Sequence, residues 1–222
     1  MNTRSLFLLG ILAAISPAVP AAAQSITLGP STPTNGGNID GWSSNQFTEQ
    51  GTYSGYSYSF TNTTSLSLLF TPESFEWYSS QNAGDIVTPY VVLVQNTNLE
   101  AANSQQVLAI GATQTNHATG LQAANFGGGS FDLAPGQEIA IGFIDAKANG
   151  AGNTGSVVSF FENGAPTGGS WYNGGPNPNE YNGRAPTAVG TVIGGASSTP
   201  AARAYQFDIS FNYSSLASNP GT

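Results

Sequence analysis

Between residues 203 and 213 the chain alternates, with Tyr205, Phe207, Ile209, Phe211 and Tyr213 separated by Gln206, Asp208, Ser210 and Asn212. A repeat of two is that of an extended strand burying one face. The same alternation recurs in Tyr56, Tyr58 and Phe60, in Leu66, Leu68 and Phe70, and in Ile139, Ile141 and Phe143. Each set is spaced by small or polar residues and predicts a half-buried strand. Residues 88–94 are apolar on both faces and 107–112 nearly so, which predicts central strands covered on both sides. Residues 101–108 have the composition for a turn of helix, but Asn103, Gly111 and the Val107–Ile110 pair favour strand. In Leu133-Ala134-Pro135-Gly136-Gln137, proline sets φ at the second turn position and glycine takes the positive φ of the third. A type II turn, closing a hairpin, is expected there. Roughly ten strands follow, and no helices to cover a parallel sheet. The fold class expected is all-β, a two-sheet antiparallel β-sandwich with jelly-roll topology preferred.

The beginning of the chain breaks this pattern. Arg4, an apolar run over residues 6–15, Pro17, Pro20 and Ala21-Ala22-Ala23 have the charged, apolar and small-residue regions of a secretory signal, with cleavage expected after Ala23. The run is about ten residues against the roughly 20 that span a bilayer. The organisation expected is a signal peptide at 1–23, one sandwich domain at 24–216 and a flexible tail at 217–222. The expected localisation is secreted and extracellular, with no membrane anchor.

Composition then narrows the chemistry. The chain has no cysteine, so thiol redox chemistry and disulfides are excluded and packing must supply stability. Beyond residue 23 only Lys147, Arg184 and Arg203 stand against twelve acids, a net charge near −9. Three scattered cations build no patch for a phosphate backbone, so nucleic acid is not an expected partner, and anionic membrane surfaces are disfavoured. His117 is the single histidine, too few for a nitrogen and sulfur zinc site. It lies in a polar stretch without a Gly-x-Ser-x-Gly elbow, and reads as a solvated loop residue. No cofactor is expected. Calcium is the one metal weighed, with Asp85, Asp132, Asp145 and Asp208 as oxygen ligands near strand ends, although no acidic calcium loop is present.

Carboxylates and aromatic loops remain. Glu73 and Glu76 sit three apart, which on a regular strand points them to opposite faces and makes a poor catalytic dyad; Glu162 and Glu180 flank an aromatic loop. Two long segments, 29–45 with Trp42 and 162–187, are rich in glycine and proline, as functional loops often are. A carbohydrate site sets an aromatic ring beside amides and carboxylates. Trp171, Tyr172, Asn173, Glu180, Tyr181 and Arg184 have that composition, with Trp77-Tyr78 a further candidate. Asn62-Thr63-Thr64 and Asn212-Tyr213-Ser214 are glycosylation acceptors in form.

The run Asp85-Ile86-Val87-Thr88-Pro89-Tyr90-Val91-Val92-Leu93-Val94, then 107–113, Phe126-Gly127-Gly128, Phe131-x-Leu133-x-Pro135-Gly136, Ile141-Gly142-Phe143 and Arg203-x-Tyr205-x-Phe207 resembles exported bacterial β-sandwich proteins, some carrying a C-terminal PEP-CTERM sorting anchor. The resemblance covers residues 85–213 and implies a sandwich fold and export. It implies no catalytic residues, and the Pro-Glu-Pro motif and terminal apolar helix of anchored members are not matched, so release as a soluble protein is expected. Three functions are open. The first is a secreted non-catalytic binding module for an extracellular carbohydrate or polymer. The second is a self-associating structural or matrix protein, and the third a carboxylate-dependent glycoside hydrolase.

Overall fold

The computed structural model describes residues 22–30, 32–36, 53–79, 83–95, 105–117, 119–146, 158–162, 180–181, 188–193 and 203–216. These form fourteen strands rather than ten, and no helix. They are β1 (Gln24–Leu28), β2 (Tyr53–Thr61), β3 (Leu68–Ser79), β4 (Ile86–Val94), β5 (Gln105–Ile110), β6 (Gln114–Thr115) and β7 (Gly120–Asn125). There follow β8 (Phe131–Leu133), β9 (Glu138–Ala146), β10 (Phe160–Glu162), β11 (Glu180–Tyr181), β12 (Val192–Ile193), β13 (Arg203–Tyr205) and β14 (Phe207–Ser215).

A five-stranded sheet runs β1-β14-β3-β7, with β8 also on β3, and a seven-stranded sheet runs β11-β2-β9-β4-β5-β12, with β6 also on β4. Every pairing is antiparallel. Setting aside the short strands, the pairs nest: β1 with β14, β2 with β9, β3 with β7, and β4 with β5. Folding such a nested hairpin so that β14 also joins β3 and β9 also joins β4 generates the jelly roll.

One core lies between the sheets. Leu28, Phe70, Phe75, Trp77, Ile209 and Phe211 from one sheet meet Val87, Val91, Ala109, Ile139, Ile141 and Phe143 from the other. Rings tie the layers together: Phe143 of β9 packs edge-on to Phe207 of β14 at 5.2 Å, and Phe60 of β2 to Phe70 of β3 at 5.6 Å. Such pairs add about 0.5–1.5 kcal/mol to simple burial.

The central strands β3 and β4 each contain a proline, which cannot donate to a ladder. Pro72 falls where β3 exchanges β8, paired over residues 68–70, for β7, paired from Ser74. Pro89 falls where β4 exchanges β6, paired at 86–87, for β5, paired from Tyr90. The missing N–H therefore sits in a gap between partners.

Several expectations change. The turn at 134–137 has the expected form, with Gln137 N–H bonded to the Ala134 carbonyl at 3.1 Å and Gly136 at φ 76°. It closes no hairpin, because β8 pairs with β3 and β9 with β2 and β4, so the turn carries the chain from one sheet to the other. The single strand expected over 203–213 is broken at Gln206: β13 pairs with β10 in a separate two-stranded sheet, and only β14 enters the five-stranded sheet. Leu66 precedes β3 and is exposed. Register slips on β3 so that Ser210 faces Ser74 and Phe211 faces Pro72. Glu73 is thus the extra residue of a bulge, and buried residues change phase from 68, 70, 72 to 75, 77, 79. The three-residue spacing then no longer separates Glu73 and Glu76; both avoid the core side, Glu73 exposed and Glu76 half-buried.

Asn62 is 0% exposed. Its side-chain N–H groups donate to the carbonyls of Leu66 and Leu133, and its oxygen accepts from the Thr64 N–H and hydroxyl. A glycan on that nitrogen is incompatible with the folded domain, whatever the sequon. Asn212, on β14, is exposed.

Candidate functional site

At the free flank of β7 the two sheets part, and a groove of about 290 Å³ opens between them. Its lining comes from Trp77 of β3, Gln114 and Thr115 of β6, His117 and Thr119 of the connecting loop, and Leu121, Gln122 and Ala123 of β7. Trp77 is 2% exposed and stacks on Phe75 at 4.9 Å. It forms the floor and offers an edge, not the open stacking face that an aromatic platform requires. Leu121, 48% exposed, supplies the apolar rim.

A polar network holds the walls. Asn116 is 1% exposed, anchored by its N–H to the Asp85 carbonyl and by its carbonyl to the Gly84 N–H, each at 2.7 Å. Its side-chain oxygen accepts from the Gln122 amide at 2.6 Å and from the Trp77 indole N–H at 3.4 Å. Gln122 Oε1 in turn accepts from the His117 backbone N–H at 3.1 Å, and Gln114 donates to the Ala112 carbonyl at 3.0 Å. This chain of bonds links β3, β7 and the loop of the opposite sheet, so the groove is preformed. Its chemistry is amides, hydroxyls, an imidazole and an apolar rim, with no carboxylate among the lining residues.

Of the residues singled out from the sequence, Trp77 and His117 come together here. His117 is exposed, as a loop histidine should be. Trp171, Tyr172, Asn173 and Arg184, together with Trp42, lie outside the described residues. Glu180 and Tyr181 form β11, paired with Gly55 and Ser54 of β2. That places their backbone beyond β2, on the opposite flank from β7 in the sheet orders. Gln114, Asn116 and Gln122 were not singled out. A run of amides and threonines over 113–122 was the available signal, and it reads as ordinary loop until the fold sets it against Trp77.

The weighed acids are dispersed. Asp132 is exposed on β8, Asp85 precedes β4, and Asp145 and Asp208 lie in β9 and β14. Among the described residues no three His, Asp or Glu side chains are grouped to hold a metal, and no helix is long and apolar enough to cross a membrane. One carboxylate pair does exist: Asp208 of β14 and Glu76 of β3 are direct cross-strand neighbours. Burial, and then the charge of Glu76, push the Asp208 pKa up to about 7. Two acids in unlike surroundings are what a glycosidase needs, yet Asp208 is only 2% exposed, closed to a polymer chain.

No protein-family model and no curated protein matches the chain. Among solved structures it is similar to "Structure of infectious bursal disease virus Gx strain", at 11% identity over 96% of this chain and 42% of that one, with a TM-score of 0.37. The corresponding Gt strain structure gives 10% identity over 96% and 47%, with the same TM-score. The chain thus spans less than half of those proteins.

Proposed function

We propose that this protein is a secreted, non-catalytic binding module whose described ligand site is the Trp77–Gln122 groove, with an extracellular carbohydrate as the ligand class. The observation that supports it is the preformed lining of amides and hydroxyls around an indole edge and a leucine rim. This mixture matches a sugar ring, which presents hydroxyls at its edge and C–H groups on its faces. At about 290 Å³ the groove is at the lower end of ligand pockets and suits one ring or the end of a glycan chain. Export is supported by the leader-like first 23 residues, by the resemblance to exported sandwiches, and by β1 starting at Gln24, immediately after the expected cleavage point. The aromatic loop with Trp171 and Tyr172 remains a second part of the ligand surface in this reading.

A panel of soluble oligosaccharides titrated into ¹⁵N-labelled protein tests this. Binding is expected to shift the Trp77 indole and the Gln114 and Gln122 side-chain amide resonances together. Gln114→Ala is expected to weaken binding about tenfold, the equivalent of about 1.4 kcal/mol, without loss of fold. Binding that shifts none of these resonances would remove the groove from the site.

A specific observation favours self-association as the second reading. β7 is an outer strand of the five-stranded sheet and has neither charge nor proline in Gly-Leu-Gln-Ala-Ala-Asn. Natural edges are commonly blunted by such residues. Analytical ultracentrifugation of Ala123→Pro, at a position whose N–H faces away from β3, against the parent chain discriminates: assembly lost on blocking the edge supports a matrix role.

A further inference from the structure

The β14 face that carries Asp208 is built around a cost. Asp208 is 2% exposed, and its Oδ2 has no hydrogen-bond partner. Directly across the ladder stands Glu76, and Leu28, the last residue of β1, pairs with the next β14 residue, Ile209. Gly29 follows with φ 118°; a side-chain carbon there would lie 2.5 Å from Asp208 Cβ and 2.5 Å from the Phe207 carbonyl oxygen. Only glycine allows the chain to turn off β1 in this conformation and press so closely on Asp208. Beyond it, the Thr34 N–H donates to Gln206 Oε1 at 3.2 Å, and the Gly36 N–H to Ser159 Oγ at 2.6 Å. The exit of β1 is thus held against the Asp208 stretch at several points.

We infer that Asp208, with Glu76 across the ladder, is a proton-operated latch: while Asp208 holds its proton the exit of β1 stays closed over it, and loss of that proton releases β1 from the edge of the sheet.

A buried carboxyl can be neutral at little cost. Ionised, it must find solvation or a partner, and an unpaired buried charge beside another carboxylate is strongly disfavoured. Gly29, which presses on Asp208, follows a five-residue outer strand whose first residues are exposed. Lifting that exit admits water. The groups facing Asp208 offer no compensating cation among the described residues: β3 contributes Glu76 and, diagonally, Tyr78; β14 itself contributes Gln206 and Ser210; β1 and its exit carry no charge; and β7, beyond Glu76, has Ala123. The upward displacement of the Asp208 pKa noted above places the transition near neutrality. With only two carboxylates and Gly29 packed on one of them, the arrangement suits a proton better than a hydrated cation.

Hydrogen exchange read by mass spectrometry on the full chain tests the latch. After correction for intrinsic exchange rates, protection of the β1 amides is expected to fall at least tenfold between pH 5 and pH 8.5. In Asp208→Asn it should stay high at both. Glu76→Gln removes the neighbouring charge, so its transition should begin at lower pH; this variant carries the test should Asp208→Asn fail to fold. Protection unchanged with pH in the parent, the same pH dependence in Asp208→Asn, or an unmoved midpoint in Glu76→Gln would each overturn the inference.

Discussion

On the outer face of the seven-stranded sheet, Tyr90, Val92, Val107 and Ala140 are all 0% exposed and pack with Val94, Ile110 and Ile144. On the outer face of the five-stranded sheet, Thr27 bonds to Ser210 and Thr71 to Ser130, each hydroxyl to hydroxyl at 2.8 Å, and among its described residues the deeply buried group is an acid, Asp208. The first sheet is therefore an inner layer, apolar on both sides. The second is a half-buried layer, and its fully covered polar position is costly. The first face adds apolar burial to that of the core between the sheets, whereas the second carries the carboxyl whose pKa is displaced furthest.

The strongest way to break the contrast is to place a charge on each outer face. Val92→Asp should destabilise by about 4 kcal/mol or more, because it buries a charge with no partner. Asn212→Asp, exposed on the other sheet, should change stability by less than about 0.5 kcal/mol. Urea unfolding of both variants measures the difference; equal effects would mean that the two faces are covered alike.

Asp208→Asn sharpens the contrast through pH. Because the folded-state pKa is raised from the ordinary 3.8 to about 7, the folded protein binds this proton more tightly than the unfolded chain. Its contribution to stability is fully present below about pH 3.8 and is lost as pH rises through about 7. Burial raises the Glu138 pKa as well, offset by its hydrogen bond with Ser59, and that residue acts in the same direction. At pH 8 the Asn variant should be more stable than the parent by about 1–2 kcal/mol, at about 1.4 kcal/mol per pKa unit with allowance for residual solvation. The gain should vanish near pH 4. Thermal melts across this range read both the sign and the window.

Gly136→Ala should have a smaller effect, a loss of about 1 kcal/mol, since alanine at φ 76° is strained. Chemical denaturation measures it. This turn joins the two contrasting sheets, so slackening it should not alter the pH dependence carried by Asp208.

Much of the contrast was legible in the sequence. Apolar residues on both sides of 88–94 marked β4 as central, and the alternation at 207–213 marked β14 as facing a core. Burial of Asp208 was not legible, because alternation assigns a polar residue to solvent unless another segment crosses it, and Gly29 comes from 179 positions earlier in the chain. The turn at 134–137 was readable as a turn, whereas its crossing between sheets depends on which strands each arm joins. The bulge at Glu73 was hidden for the same reason: it exists only in the register between β3 and β14. At the groove, Trp77 and His117 drew notice as residue types. The Asn116–Gln122 bonds are local, six residues apart, but their junction with Trp77 spans 39 residues and depends on β3 pairing with β7, which no local pattern encodes.

The nesting of strand pairs also sets an order in time. Among the described strands β1 comes first and its partner β14 last, with Thr27 meeting Ser210 across 183 residues. No part of that ladder can form until residue 209 and those after it are available. The closing contact is also the most non-local one, which places this domain among slow-folding β topologies, on the scale of milliseconds to seconds. The β1 edge of the sheet thus stays open until β14 arrives.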